Sequence, residues 1–184
     1  MKWPLLLLLI GCAPEADPCS DATLEVGTEA VHFGDLTLLS GDAIGDPNTA
    51  DQVPSRRTVL LRNACGPALR IHQVCLIQNE HNGEAGSTAF YLEGPDRAVL
   101  GPGQTAGLRL TFDAQTVSDD LNQDAERDPD RATLVIQSDA HNTPTHVIPV
   151  CARTVPDGEA NPPYDCPAPF TIPAGEALPD LCDQ

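Results

Sequence analysis

The sequence predicts an all-β chain, an antiparallel β-sandwich of about seven short strands, with an export signal before it and an extended proline-rich tail after it. Apolar residues alternate with polar ones, clusters of Gly, Pro, Asn and Asp separate the alternating runs, and no window of a dozen residues carries a helical stripe. Seven or so such runs in about 130 residues point to two packed sheets.

The elements follow in chain order. Lys2, Trp3-Pro4 and the apolar run Leu5 to Ile10 form a positive start and a short hydrophobic stretch. That stretch falls well short of the roughly 20 residues of a spanning helix and reads as an export signal. It ends in Leu9-Ile10-Gly11-Cys12, which resembles a bacterial lipobox, so residues 1–11 are expected to be removed and Cys12 acylated. Two or more acyl chains anchor a protein stably. Residues 12–21 then form a tether, and Ala13 after the lipid cysteine resembles outer-membrane sorting. Strands are expected around Leu24/Val26, Val31/Phe33, Val59/Leu61, Leu69/Ile71, Leu108 to Phe112, Leu134/Ile136 and Ile148/Val150. The long polar connections are 41–55 and 114–130, and from Val155 prolines replace periodicity. The division expected is a sandwich over 22–152 and a cysteine-containing tail over 153–184.

Charge excludes whole classes of function. The chain holds 27 Asp and Glu against 10 Lys and Arg. Cleavage before Cys12 leaves 173 residues with nine arginines, no lysine and a formal charge of −18. Such a chain repels nucleic acid and anionic lipid surfaces. Six cysteines remain in the exported chain, which reads as up to three disulfides; no C-x-x-C pair suggests a metal site.

The ordered motifs carry a family resemblance over roughly 22–152. Val31-His32-Phe33-Gly34-Asp35-Leu36 resembles the "FG-x-V" opening of the Hydin-type (ASH) and choice-of-anchor D immunoglobulin-like domains. Thr58 to Asn63 matches "v-x-L-x-N", Pro67 to Ile71 "p-L-x-I", and Leu100 to Gln104 the "l-x-P-G-x" turn. Leu108 to Phe112 follows as "l-x-v-x-F", and Ala132 to Asp139 as "a-x-L-x-I-x-S-n-d". Phe90 stands where these domains carry a phenylalanine. An acidic insertion before Arg131, the long loop before Ser55 and Cys151 near the usual "l-x-G" finish depart from the pattern. The resemblance implies an immunoglobulin-like sandwich used for assembly or protein contact, with no catalytic residues to carry over. Phe33, Phe90 and Phe112 are expected as core plugs, Gly34, Gly66 and Gly103 at turns of positive φ, and Asn63 bonding nearby backbone.

Neither a nucleophile nor a metal cluster stands out. Ser40 and Ser87 lack a G-x-S-x-G context, and His32, His72, His81, His141 and His146 follow no H-E-x-x-H pattern. Cys75 is a candidate thiol only if unpaired. The insertion 118–130 concentrates Asp119, Asp120, Asp124, Glu126, Asp128 and Asp130. Calcium takes six to eight oxygens, so this loop is the candidate calcium site, although the D-x-D-x-D-G order is missing and Arg127 and Arg131 offer internal partners. A solvated loop is the plainer reading.

The functional expectation is a non-enzymatic, lipid-anchored module that binds or scaffolds a protein in the bacterial envelope, with no cofactor and no nucleic acid. A calcium-dependent surface adhesin is the alternative. For the cysteines, the expected pairs are Cys19–Cys65 at one end of the sandwich, Cys75–Cys151 at the other, and Cys166–Cys182 within the tail. Closing Cys19–Cys65 is worth about 4 kcal/mol by loop entropy. The rival arrangement sends the tail back over the sandwich, linking Cys166 or Cys182 to Cys19 or Cys151.

Overall fold

A computed structural model of the chain describes residues 19–38, 55–78, 86–113, 118, 126–156 and 161–172. The export signal, Cys12 and most of the tether lie outside these residues, as do Ser40, His81 and Cys182. Nine strands are described: β1 (Thr23–Val26), β2 (Val31–Leu38), β3 (Ser55–Cys65), β4 (Leu69–Ile77), β5 (Phe90–Glu93), β6 (Ala98–Leu100), β7 (Thr105–Phe112), β8 (Asp130–Ser138) and β9 (Thr145–Pro156). Seven coincide with the expected runs. The two more, β5 and β6, hold only four and three residues, too few for alternation to announce them. β9 runs to Pro156, four residues past the expected end of the sandwich at 152.

The strands form two sheets, ordered β1-β3-β7-β5 and β2-β9-β8-β4-β6. With β1, β3, β4, β5, β7, β8 and β9 taken as A, B, C, D, E, F and G, these are the ABED and CFG sheets of an immunoglobulin-like sandwich. All pairs are antiparallel except β2 with β9, which run parallel.

The core lies between the inner faces. Phe33, Phe90 and Phe112 meet there, with ring centroids 4.8 to 6.0 Å apart. Leu61, Leu108, Leu110, Leu134, Ile136, Ile148 and Val150 fill the rest. Asn63 is fully buried, and its amide donates to the carbonyls of Pro67 (2.8 Å) and Leu100 (2.9 Å), tying the β3–β4 turn to β6. Gly34, Gly66 and Gly103 take φ of 83°, 79° and 73°. At Gly66 a side chain would also collide with the backbone of Asp21, so this turn admits only glycine.

Two bulges decide which side chains face outward. A register shift in β2 between His32 and Asp35, at Gly34, turns Asp35 to the outer face beside Arg153. A second shift, in β4 between Ile71 and Gln73, leaves Ile71 and Val74 in the core and turns Cys75 and Ile77 outward.

Cys19 joins Cys65 and Cys151 joins Cys166, with Cα atoms 4.7 and 5.4 Å apart, inside the range a disulfide spans. The second bond replaces two expected pairings, Cys75–Cys151 and Cys166–Cys182. Cys75 faces Val135, Val135 faces Val147, and Cys151 lies four residues further along β9. Two strand spacings and four residues put the two cysteines about 16 Å apart, far beyond bonding reach. Cys151 sits inside a long strand with its side chain outward, where the returning tail presents Cys166. Cys75 is itself disulfide-bonded.

Candidate functional site

The two outer faces of the sandwich differ. Residues 161–172, in no regular structure, lie across the outer face of β2, β9 and β8. Arg153, on β9 and only 2% exposed in its side chain, anchors them. Its guanidinium donates twice to the Asp35 carboxylate, both at 2.9 Å, and once to the Pro162 carbonyl at 2.7 Å. It also lies 4.4 Å from the Tyr164 ring centroid. The hydrogen bond to Asp35 is the main cause that holds the Arg153 pKa above its ordinary value. Burial, then the Asp35 charge, pushes the Tyr164 phenol up. The Tyr164 hydroxyl donates to the Gly34 carbonyl (3.1 Å), and the Tyr164 carbonyl accepts from His32 Nε2 (3.1 Å). Further along, Phe170 packs on Ile77 and Val135 under Arg131, and its N–H donates to Thr133 Oγ1 at 2.8 Å. This cover explains why β8 is buried without interruption from Ala132 to Ile136.

The outer face of β1-β3-β7-β5 carries no such cover among the described residues. Register places its outward side chains in rows. Arg56 faces Thr111, which faces Tyr91; Thr58 faces Arg109, which faces Glu93; Leu60 faces Gly107; and Arg62 faces Glu25 on one side and Thr105 on the other. Among the described residues Leu60 and Tyr91, about half exposed, are two of the three large apolar side chains most open to water, with Val99 on β6 the third. Between them Gly107 leaves a shallow depression of about 320 Å³, lined by Thr58, Glu93, Gly94, Gly107 and Arg109. A methyl group at Gly107 would meet Thr58 and Leu60 only at ordinary contact distance, so the missing side chain makes the hollow. Three of the nine arginines, Arg56, Arg62 and Arg109, gather on this face of an otherwise acidic chain. The Arg62–Glu25 (3.2 Å) and Arg109–Glu93 (3.4 Å) pairs are exposed and therefore weak, so either can exchange for a partner's groups. Exposed Tyr and Arg around a small hollow are the composition from which binding hot spots are made.

The sheet edges also differ. Opposite β3, β1 turns the Leu24 N–H and C=O outward, and the Asn142 side-chain amide bonds both, at 3.0 and 2.9 Å. The free edge of β2 is held by Arg57, whose guanidinium donates to the carbonyls of His32 (3.3 Å) and Phe33 (3.0 Å). β6 is three residues long. On β5, Asp113 N–H donates to the Ala89 carbonyl at 2.9 Å, which fixes the alternation of the β5–β7 ladder. Tyr91 and Glu93 therefore bond β7, while the N–H and C=O of Phe90 and Leu92 point away from the sheet.

The remaining sequence candidates do not converge. Among the described residues no three His, Cys, Asp or Glu side chains gather as a metal site. Of the candidate calcium loop, Asp119, Asp120 and Asp124 lie outside the described residues. Asp130 accepts from Ser118 Oγ (2.6 Å), and the same oxygen accepts from the Thr154 N–H (2.8 Å), which ties this end of the loop to β9. Ser87 Oγ accepts from the Ala89 N–H in a turn, His72 lies at the β4 bulge, and the His141 N–H bonds the Ala22 carbonyl. His146 lies on β9 opposite Ile136, where burial lowers its pKa. The outer face of β1-β3-β7-β5 was not singled out from sequence, although the spacing Arg56-x-Thr58-x-Leu60-x-Arg62 marks outward positions once strand β3 is granted.

No protein-family model and no curated protein sequence matches the chain. Among solved structures it is similar to a protein of unknown function from Porphyromonas gingivalis W83, with 19% identity and a TM-score of 0.48 over 76% of this chain and 50% of that one. It is also similar to the ASH / PapD-like domain of human CEP192, with 13% identity and a TM-score of 0.46 over 83% of this chain and 99% of that one. A third is the Pseudomonas aeruginosa CupB2 chaperone, with 14% identity and a TM-score of 0.43 over 71% and 55% of the two chains. The chain thus spans about half the length of the first and third.

Proposed function

We propose that the chain is a non-enzymatic, lipid-anchored module of the bacterial envelope that binds a protein partner through the outer face of β1-β3-β7-β5. The single observation that carries the reading is the asymmetry of the sandwich. One face is covered by the chain's own residues 161–172, while the other presents Tyr91, Leu60 and three arginines around the Gly107 hollow. Disulfides at Cys19–Cys65 and Cys151–Cys166 suit an oxidising compartment, and Cys12 supplies the anchor after cleavage. The lipobox resemblance and Ala13 favour the outer membrane.

A photo-crosslinking amino acid in place of Tyr91, irradiated on intact cells, tests the face. It is expected to capture one defined protein neighbour, whereas the same group in place of Arg70, exposed on the other sheet, should not. Equal, diffuse labelling from both positions refutes the reading. Cys12→Ala is expected to release the protein from membranes; continued partition into detergent refutes the anchor.

A further inference from the structure

The charged side chains that β1-β3-β7-β5 turns outward are sorted by sign. Arg56 and Arg62 on β3 and Arg109 on β7 occupy the two central strands, whereas Glu25 on β1 and Glu93 on β5 stand on the flanking ones. The middle of the face is therefore positive in a chain whose net charge is −17. Arg62 and Arg109 are 53% and 58% exposed, each beside one exposed carboxylate, and Arg56 pairs with no described carboxylate. The spacing is as particular as the sign. Gly107 pairs with Leu60, Arg109 with Thr58 and Thr105 with Arg62, so Arg109 and Arg62 lie one row to either side of the Gly107 hollow. Arg56 lies one row beyond Arg109. Rows two residues apart are separated by about 6.7 Å, so the arginines that flank the hollow stand about 13 Å apart along the strands. Same-side residues of an extended peptide repeat at that same spacing.

We propose that this face docks an extended acidic segment of a protein partner, in which one bulky apolar side chain enters the Gly107 hollow and carboxylates two residues to either side of it pair with Arg109 and Arg62. This names the partner chemistry of the proposed binding face and rests on that reading. A further carboxylate, two residues beyond the one at Arg109, reaches Arg56. Leu60 borders the hollow, and Tyr91 stands in the row of Arg56, so both add apolar contact beside the charged groups. A guanidinium fork matches a carboxylate in two parallel hydrogen bonds, which an exposed pair within the sheet exchanges at little cost. Local charge selects the occupant. At physiological salt, charges more than about 8 Å away are largely screened, so the acidic remainder of the chain counts for less at this face than three arginines in contact.

The probe is a random peptide library displayed on phage and selected against the full-length exported protein. Recovered peptides are expected to carry Asp or Glu two residues before and two residues after a bulky apolar residue. Their binding should weaken about tenfold in Arg109→Glu. Arg70→Glu, which changes the net charge equally at an exposed position of the other sheet, should leave binding unchanged. Gly107→Val fills the hollow. A Cβ there meets Thr58 and Leu60 at 3.7 Å, and valine suits a strand, so the urea midpoint should hold or rise while peptide binding again weakens about tenfold. Recovered peptides that are basic or uncharged overturn the proposal, as does binding that Arg109→Glu and Gly107→Val leave intact. An equal loss in Arg70→Glu overturns it too, because whole-chain charge would then explain the effect. Self-association in sedimentation that Arg109→Glu abolishes makes a second copy the occupant and overturns the partner segment. Selection of no peptide also overturns it; the crosslink at position 91 then judges the binding face separately.

Discussion

Replacing Asp35 with alanine tests how the tail is held. The substitution removes both carboxylate oxygens that accept from Arg153 at 2.9 Å and leaves the guanidinium, 2% exposed, with the Pro162 carbonyl as its close acceptor. Breaking a buried ion pair by removing one partner costs about 3–5 kcal/mol. The Asp35 side chain is 37% exposed, however, so water reaches the vacated position and returns part of that cost. We expect a loss of about 2–4 kcal/mol, a fall in midpoint of roughly 8–15 °C for a sandwich of this size. The assay is urea denaturation with disulfides intact, run on Asp35→Ala, Arg153→Met and the double variant. Because the double variant buries no unpaired charge, it should be more stable than Asp35→Ala alone. Amide exchange at Phe170, which donates to Thr133, should quicken in Asp35→Ala as the tail loosens. A loss below about 0.5 kcal/mol, or a double variant less stable than Asp35→Ala, refutes the assignment of Arg153 as the anchor of residues 161–172.

Three further predictions follow from separate parts of the fold. Asn63→Ala should cost about 2–4 kcal/mol in the same denaturation assay, since two buried carbonyls lose their donor, whereas Arg62→Ala at the exposed pair should cost at most about 1 kcal/mol. Burial holds the His146 pKa below its ordinary 6.5, so in acid the unfolded chain takes the proton first. Stability is then full above that value and declines as pH falls from about 6.5 to the folded pKa, a slope that His146→Gln should reduce. Non-reducing peptide mapping of the lipidated protein should join Cys75 to Cys182, because Cys75 is bonded and the other cysteine outside the described residues, Cys12, is expected to carry lipid. A peptide joining Cys75 to Cys12 would refute both that pairing and the lipid anchor.

Alternation by itself determined the all-β class, because period two in Val, Leu, Ile and Phe has no other way to bury one side. Phe33, Phe90 and Phe112 were legible as core, and so were the turns at Gly66, Gly103 and Asn63, since each depends on local stereochemistry, whereas Gly34, expected at a turn, lies inside β2 at a bulge. The Cys19–Cys65 pair, now seen at 4.7 Å, was legible from strand ends because hairpin connectivity fixes which ends coincide. The Cys151 partner was not. It depends on β8 lying between β4 and β9, and on a tail that turns back, both products of long-range packing. The outer-face chemistry was equally hidden. One extra residue at Gly34 brings Asp35 to Arg153, and one in β4 turns Cys75 and Ile77 toward Phe170. A single-residue slip reverses every side chain beyond it, and nothing in the local sequence announces the slip. How the sheet edges are closed was likewise decided in three dimensions, where Asn142 reaches Leu24 across 118 residues and Arg57 reaches Phe33 across 24. Local patterns therefore set the strands, whereas the tail, the sulfur bridge beneath it and the closed edges of β1 and β2 arise from contacts between residues far apart in the chain.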